Sequence, residues 1–188
     1  RSYELAMKRR RKVTLIHKAN TFRLSDGLFL EACRDVAKDF PEVETDAVIV
    51  DAMAALLVRQ PERFDVICAT NFHADILSDL ASELSGSLGL AGSVNAGDDL
   101  CCAQAQHGSA PDIAGQDRAN PTSLILSAAM LLDWIAEKRG LAAYGAAAKA
   151  IEQAIDAALA SPETRTGDLG GALGTKVFAE RIAGAIAG

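Results

Sequence analysis

Residues 71–79, N-F-H-A-D-I-L-S-D, decide how the rest of the chain is interpreted. They follow a short apolar run and open a segment whose apolar residues recur at helical spacing. A helix that begins near Phe72 places the carboxylates of Asp75 and Asp79 one turn apart on one face. Two like charges at this spacing weaken a helix unless a cation lies between them, and hard oxygen ligands suit Mg²⁺ or Mn²⁺ better than zinc. The pair alone favours two solvated carboxylates, and the remainder of the chain reverses that preference.

The composition excludes several classes of protein. Of the 188 residues, 49% are hydrophobic and only 5% are aromatic, so aliphatic side chains and alanine must build the core. This is typical of α/β proteins with alanine-rich helices, and the length suits one large domain or two small lobes. The net charge of −6 argues against a general nucleic-acid or anionic-membrane binder. The sequence shows no apolar run of membrane-spanning length and no secretory signal segment.

The cysteines indicate reduced thiols and therefore a cytoplasmic protein. None of the four is spaced as C-x-x-C. The adjacent pair, Cys101 and Cys102, has poor geometry for a disulfide, and a redox-sensing role for it is the less favoured alternative.

Three short apolar runs are predicted to be strands: residues 13–16, 47–50 and 64–70. Each run is followed by polar residues, first Lys18 and Asn20, then Asp51, then the segment that carries the aspartate pair. Because strands and helices alternate, we expect largely parallel pairing with these polar groups at one edge of the sheet. Ligands bind at that edge in open α/β sheets. The convergence therefore predicts a site.

Helical periodicity and end signals predict further helices. Their ranges are residues 27–40, 53–58, 122–138, 144–160 and 177–186. Ser25 or Asp26 is expected to cap the first of them, Pro121 to open the third and Gly140 to end it.

Two loops stand out between these elements. Residues 86–97 are rich in glycine and form either a linker between lobes or a loop that a ligand approaches closely. They do not match G-x-G-x-x-G, which excludes the Rossmann fingerprint here. Residues 107–121 form a second loop of small and polar residues, with His107, Asp112 and Asn120 in it. Loops on a rigid scaffold often carry sites, so this one is a candidate for binding.

Taken together, these motifs resemble the isocitrate/isopropylmalate dehydrogenase family in order and approximate spacing, over essentially the whole chain. The motifs that carry the resemblance are Lys18-Ala-Asn20, Val50-Asp51, Asp75-Ile-Leu-Ser-Asp79, His107-Gly-Ser-Ala-Pro-Asp-Ile-Ala-Gly115, Ala119-Asn-Pro121 and Asp168-Leu-Gly-Gly171. The resemblance implies an α/β two-lobe fold of which this chain holds the C-terminal part, with the N-terminal half missing. Residues 1–85 are expected to form the central sheet and dimerisation lobe, and residues 86–188 to form part of the nucleotide-binding lobe.

The family resemblance implies a chemistry. Such proteins oxidise a 2-hydroxy acid that bears a 3-carboxylate, pass the hydride to a nicotinamide cofactor and release CO₂. By resemblance, Asp75 and Asp79 are ligands of Mg²⁺ or Mn²⁺, and Asp51 joins them from the other subunit of a homodimer with a shared active site. Lys18 matches the family lysine that serves as base or proton relay. Lys18 and Asp51 are thus the expected catalytic residues.

The resemblance also implies how a cofactor is held. Asn20 matches a residue near the nicotinamide. The loop of His107, Gly108, Ser109 and Ala110 resembles the adenosine-binding loop, where the histidine stacks near adenine and Asn120 bonds the adenine edge. Asp112 would accept hydrogen bonds from a ribose 2′-hydroxyl but repel a 2′-phosphate, which favours NAD.

The chain departs from the family pattern at two places. His73 and Ala74 stand where many members have an aromatic residue and glycine, and residues 101–106 replace a more typical stretch before His107. The arginine cluster, the catalytic tyrosine and the segment that selects the substrate would all precede Arg1. We therefore expect the 188 residues alone to show little or no dehydrogenase activity.

The substrate and the class of protein have alternatives. Isocitrate and homoisocitrate are favoured over isopropylmalate, and tartrate or malate types stay open. A non-catalytic regulatory subunit or truncated paralogue that dimerises and binds nucleotide is the main alternative. A structural metal-binding module is the second.

Overall fold

The computed structural model describes residues 1–187 and has the expected α/β architecture. The chain divides into two compact units, Arg1–Leu84 and Ser85–Gly188. In the described residues, no helix combines the length and the hydropathy that a membrane span requires.

The first unit is built from three strands and four helices. The strands are β1 (Lys12–His17), β2 (Glu44–Ile49) and β3 (Val66–Cys68). The helices are α1 (Ser2–Met7), α2 (Ser25–Ala37), α3 (Val50–Arg59) and α4 (Asn71–Ser85).

Strand β1 lies in the centre of a parallel sheet with the order β2-β1-β3. Leu15 of β1 pairs with Ala47 on one side and with Cys68 on the other. The predicted parallel pairing is therefore confirmed. All three carboxyl ends meet at one edge, as the sequence analysis expected.

The sheet is covered by a separate apolar cluster on each face. On one face Val13 and Leu15 pack with residues of α1, α2 and β3, namely Tyr3, Ala6, Leu30 and Val66. On the other face Ile16 packs with Met53, Leu57, Phe64 and Leu77. Because alternate residues of a strand point to opposite faces, a central strand buried on both sides reads as a continuous apolar run. Each such side chain contributes about 1.5–3 kcal/mol when fully buried.

Some predicted boundaries are wrong, and one of them moves a site residue. Strand β2 ends at Ile49 and α3 begins directly at Val50, so Asp51 lies in the first turn of a helix rather than at a strand end. A carboxylate there meets the positive end of the helix dipole. Helix α2 begins at Ser25, and neither Ser25 nor Asp26 caps it, since its N-cap is Leu24.

Two arginines of the basic run after α1 bind a buried carboxylate. Asp65, which precedes β3, has a side chain that is only 1% exposed. Its Oδ1 accepts a hydrogen bond from Nε of Arg9 at 2.8 Å, and its Oδ2 accepts one from the backbone N–H of Arg10 at 2.9 Å. Burial alone would raise the pKa of Asp65, but these hydrogen bonds and the arginine charges outweigh it and hold the pKa below its ordinary value of 3.8.

Replacing Asp65 by asparagine is expected to lower the free energy of unfolding by about 1–3 kcal/mol near neutral pH, because a charged hydrogen-bond acceptor is lost. A lowered folded-state pKa means that the carboxylate stabilises the protein above about pH 4 and stops doing so as the pH falls through the folded pKa. Urea denaturation should therefore show a difference between wild type and D65N that shrinks in acid. Glu31→Gln, at an exposed position, is the control, and an equal difference at both pH values would contradict the assignment.

The second unit consists of a β-hairpin and three helices. The hairpin pairs β4 (Gly92–Ala96) with β5 (Cys101–Ala105) in antiparallel fashion. The helices are α5 (Thr122–Arg139), α6 (Ala142–Leu159) and α7 (Thr175–Ala187). Helices α6 and α7 share an apolar cluster in which Phe178, Ile182 and Ile155 are the largest buried residues.

The hairpin was not predicted, because its sequence lacks a strand signal. The strands G-S-V-N-A and C-C-A-Q-A hold a single β-branched residue, Val94, and the first was interpreted as linker or loop. Ser123 and Ser127 of α5, both buried, hold the hairpin by hydrogen bonds. Ser127 accepts the N–H of Ser93 at 2.9 Å, and its Oγ lies 2.7 Å from the carbonyl oxygen of Gln104. Tertiary hydrogen bonds, rather than strand propensity, fix this element.

Candidate functional site

The turn after β1 fixes the backbone of Lys18 from both sides. The Lys18 carbonyl accepts hydrogen bonds from the N–H groups of Thr21 and Phe22, each at 2.8 Å. The Lys18 N–H donates to Oδ2 of Asp26 at 2.6 Å. The direction in which the lysine side chain leaves the sheet is thereby set by backbone geometry.

The side chains of Lys18 and Asp51 form an ion pair. Lys18 comes from the end of β1, and Asp51 comes from the first turn of α3, which follows the neighbouring strand β2. The structure thus brings together the two residues that were predicted to be catalytic. The ion pair holds the Lys18 ammonium group next to the Asp51 carboxylate at the carboxyl edge of the sheet.

Helix α4 carries Asp75 and Asp79 on its exposed side. The same side carries Phe72 and Ile76, which are 70% and 53% exposed. Among the described residues, no group of three or more His, Cys, Asp or Glu side chains forms a metal site. A single chain therefore offers two hard oxygen ligands beside an uncovered apolar surface, and Asp51 does not join them within the chain.

Two buried polar residues near Lys18 were missed by the sequence analysis. Asp26 is 5% exposed and His73 is 3% exposed, and Nδ1 of His73 lies 3.9 Å from Oδ2 of Asp26. Asp26 had been interpreted as a helix cap, and His73 had been noted only as a departure from the family pattern. Their contact joins the first turns of α2 and α4, two helices that cover opposite faces of the sheet, and no local pattern indicates it.

The second unit contains a cleft of about 790 Å³. Its walls come from four segments that are distant in sequence, including the glycine-rich stretch, the His107 loop and the start of α7. Among the residues that line it are Ser87, Gly89, His107, Gly108, Ser109, Ala110, Asn120, Asp168, Thr175 and Lys176. The cleft has a size suited to a small-molecule or cofactor site.

The carboxylate of Asp168 holds three of these segments together. It accepts hydrogen bonds from Oγ of Ser87 at 2.5 Å, from Nδ2 of Asn120 at 2.9 Å and from Oγ1 of Thr166 at 2.5 Å. Partial burial would raise the pKa of Asp168, but these hydrogen bonds outweigh it and hold the pKa below its ordinary value of 3.8. Asp168 is thus an ionised anchor for the wall of the cleft.

A smaller cavity of about 420 Å³ adjoins the cleft and contains two glycines that the main chain approaches closely. A Cβ atom added to Gly171 would lie 2.0 Å from the carbonyl oxygen of Arg165, and one added to Gly174 would lie 2.4 Å from Oδ2 of Asp117. Asp117 in turn accepts the N–H groups of Thr175 and Lys176, at 3.1 and 2.9 Å, at the start of α7. The backbone path around this smaller cavity therefore excludes side chains at both glycines.

The sequence profile of the isocitrate/isopropylmalate dehydrogenase family matches residues 1–186. The chain belongs to this family. Its fold is correspondingly a partial isocitrate/isopropylmalate dehydrogenase fold, as predicted from the motifs.

Individual relatives agree with this membership. The chain is 50% identical over 177 residues to the isocitrate/homoisocitrate dehydrogenase of Thermus thermophilus, covering 94% of this chain and 51% of that protein. It is 43% identical over 174 residues to "Isocitrate dehydrogenase [NAD] catalytic subunit 5, mitochondrial" of Arabidopsis thaliana, covering 92% and 45%. The crystal structure of isocitrate dehydrogenase from Methylococcus capsulatus superposes with a TM-score of 0.89 at 42% identity, covering 98% of this chain and 53% of that one. The chain spans about half the length of the relatives that it matches.

Most of the family's expected cofactor residues lie together in the cleft, and two do not. His107, Gly108, Ser109, Ala110 and Asn120 line it. Asp112 is exposed on the adjoining turn Pro111–Ile113 and is not among the described residues that line the cleft. Asn20 lies in the first unit, exposed in the turn after β1.

The side chains of Asn120 and His107 are partly engaged by the protein itself. The Asn120 amide donates to Asp168, and its Oδ1 accepts the N–H of Thr122 at 3.0 Å. Nδ1 of His107 lies 2.9 Å from the carbonyl oxygen of Gly108. In the tautomer that donates this hydrogen bond, Nε2 of His107 is left as an acceptor.

Replacing Asp168 by asparagine is expected to lower the melting temperature by about 2–4 °C, the shift that loss of roughly 1 kcal/mol causes in a protein of this size. The asparagine Nδ2 cannot accept the hydrogen bond from Ser87 or Asn120. Because the folded pKa is lowered, the wild-type advantage is present above about pH 4 and is lost as the pH falls through that pKa. Asp112→Asn, an exposed carboxylate on the same rim, is the control. A melting temperature of D168N equal to that of the wild type would refute the anchor role.

Proposed function

We propose that the chain forms the C-terminal half of an NAD-dependent β-decarboxylating dehydrogenase. Its substrate would be a 2-hydroxy acid with a 3-carboxylate, of the isocitrate, homoisocitrate or isopropylmalate type. The observation that carries the proposal is the Lys18–Asp51 ion pair at the carboxyl edge of a parallel sheet. Residues 1–85 act as the sheet and dimerisation lobe and residues 86–188 as part of the nucleotide lobe.

The exposed face of α4 supports a shared active site. An aromatic ring that is 70% exposed beside a 53% exposed isoleucine is costly in water, and a second copy of the chain would cover both. In a dimer with two-fold symmetry, every contact that one protomer makes with its partner is repeated with the two protomers exchanged. Lys18 and Asp51 of one protomer then complete the site begun by Asp75 and Asp79 of its partner.

The donor set fits a hard divalent cation. Asp75 and Asp79 provide two carboxylates four residues apart, and Asp51 provides a third from the partner. Mg²⁺ or Mn²⁺ held by these carboxylates would supply Lewis-acid polarisation of the substrate hydroxyl group. As a neutral amine, Lys18 would accept the proton of the hydroxyl group on Nζ, and Asp51 would orient the ammonium group that results.

Complementation tests the shared site in the longest natural polypeptide that includes this chain. Lys18→Ala and Asp75→Asn are each expected to abolish NAD⁺-dependent turnover with Mn²⁺ and isocitrate or homoisocitrate. Co-expression of the two should restore roughly a quarter of wild-type activity, because half of the randomly assembled dimers contain one intact site out of two.

The matched control combines Lys18→Ala with Asp51→Asn. These residues come from the same protomer in the proposed arrangement, so no mixed dimer regains an intact site. Equal recovery in both mixtures, or in neither, would refute the shared site. A wild-type protein that binds NADH without turning over any of these acids would favour the regulatory-subunit alternative.

The cleft of the second unit supports nucleotide binding. Five of the residues expected to hold adenosine line a cavity of about 790 Å³ whose wall is fixed by an ionised carboxylate. Asp112, exposed on the rim, would repel the 2′-phosphate of NADP by charge.

The cofactor preference is measurable by ligand-induced thermal stabilisation. NADH is expected to raise the melting temperature at concentrations about tenfold lower than NADPH, because a ligand of the folded state stabilises it according to the ratio of ligand concentration to Kd. Asp112→Lys should narrow or reverse that preference. Asp133→Lys, an equal charge change on an exposed site of α5, should leave it unchanged. Equal preference in wild type and D112K would contradict the role of Asp112.

A further inference from the structure

We infer that Asp26 is a positioning residue for Lys18, acting through its buried carboxylate and together with His73. This inference rests on the proposed function, because it assigns a role to a residue next to the proposed base. Asp26 does not contact the ammonium group itself. It holds the main chain from which that group extends.

The first observation is a short hydrogen bond across a turn. Asp26 lies in the first turn of α2, eight residues after Lys18, and its Oδ2 accepts the Lys18 N–H at 2.6 Å. At 5% exposure, no water is available to replace this partner freely. An anionic acceptor in the first turn of a helix is also favoured by the helix dipole. The carboxylate is therefore a strong, fixed acceptor.

The second observation is that the same oxygen faces helix α4. Nδ1 of His73, in the first turn of α4, lies 3.9 Å from Oδ2 of Asp26 and 3.3 Å from Oγ1 of Thr70. His73 is 3% exposed, so the imidazole fills the space between the carboxylate and the helix. One carboxylate thus contacts the turn after β1 and the start of the helix that carries Asp75 and Asp79.

The consequence concerns distances within one protomer. Lys18 and Asp51 serve one proposed site, while Asp75 and Asp79 of the same protomer serve the other. The buried packing contact of Asp26 with His73 places the Lys18 turn next to the start of α4, and so helps to keep both half-sites in register with the dimer axis. Displacing a catalytic group by about 1 Å can lower the reaction rate on the order of a hundredfold. A contact that fixes this spacing therefore outweighs the cost of burying a carboxylate.

Kinetics of the longest natural polypeptide that includes this chain test the inference. Asp26→Ala removes the acceptor and is expected to lower kcat by about a hundredfold, with KM for the hydroxy acid changed by less than about threefold. Asp26→Asn keeps an oxygen that can accept the Lys18 N–H and should restore kcat to within about tenfold of wild type. A purely structural role would reduce the folded fraction without changing kcat per folded molecule.

Tyr3→Phe is the matched control. Its hydroxyl also makes two partly buried hydrogen bonds in the first unit, to the carbonyl of Cys33 at 3.2 Å and from Thr45 at 3.3 Å, but on the face of the sheet away from α4. We expect Y3F to lower stability and to leave kcat unchanged. Amide hydrogen exchange adds a direct readout, because D26A should lose protection at Lys18 while Ile16 in the strand keeps it.

The outcomes separate the two proposals. An active wild type with a kcat of D26A within about threefold of it, or with unchanged protection of the Lys18 amide, would overturn the positioning role alone. A wild-type protein that shows no turnover with Mn²⁺, NAD⁺ and the candidate acids would overturn the proposed function, and the positioning role in catalysis with it.

Discussion

The burial of one strand on both of its faces is the constraint on which the first unit depends. Val13 and Leu15 fill one apolar cluster and Ile16 fills another, so β1 cannot shift along its neighbours without exposing one cluster or the other. A fixed register fixes the end of the strand. The turn that follows, with its lysine, consequently leaves the sheet at a defined point beside α3. The position of Lys18 at the edge of the sheet thus depends on packing inside the sheet.

Packing fixes where the Lys18 turn lies, and polar contacts then fix how its groups are oriented. The Lys18 side chain is held by its ion pair with Asp51, and the Lys18 main chain is held by the hydrogen bond from its N–H to Asp26. Asp26 and His73 are buried and contact each other instead of solvent. Replacing either side chain therefore lowers stability, and the two side chains keep one relative arrangement. In the second unit Asp168 has the corresponding place, since one ionised carboxylate gathers hydroxyl and amide donors from three segments.

The sequence alone predicted the features that rest on local patterns. Apolar runs located the three parallel strands, helical periodicity located α4 to α7, and the spacing of Asp75 and Asp79 placed both on one side of a helix. It did not predict the β4–β5 hairpin, whose strands are held by Ser127 and Ser123 of a helix about 20–30 residues further on. It also misplaced Asp51 by treating Val50 as the end of a strand. Asp26 and His73 were missed because their contact joins elements that only the tertiary fold brings together.

The two glycines of the smaller cavity beside the cleft have a consequence for how such a protein can diversify. At position 171 the main chain passes so near to Arg165 that even a methyl group would overlap a carbonyl oxygen, and position 174 is closed by Asp117 in the same way. Every missense substitution there encounters the same obstacle, whatever its polarity or size. Variation in what this cavity admits must therefore arise at its other lining residues, because the backbone at positions 171 and 174 leaves no space for a side chain.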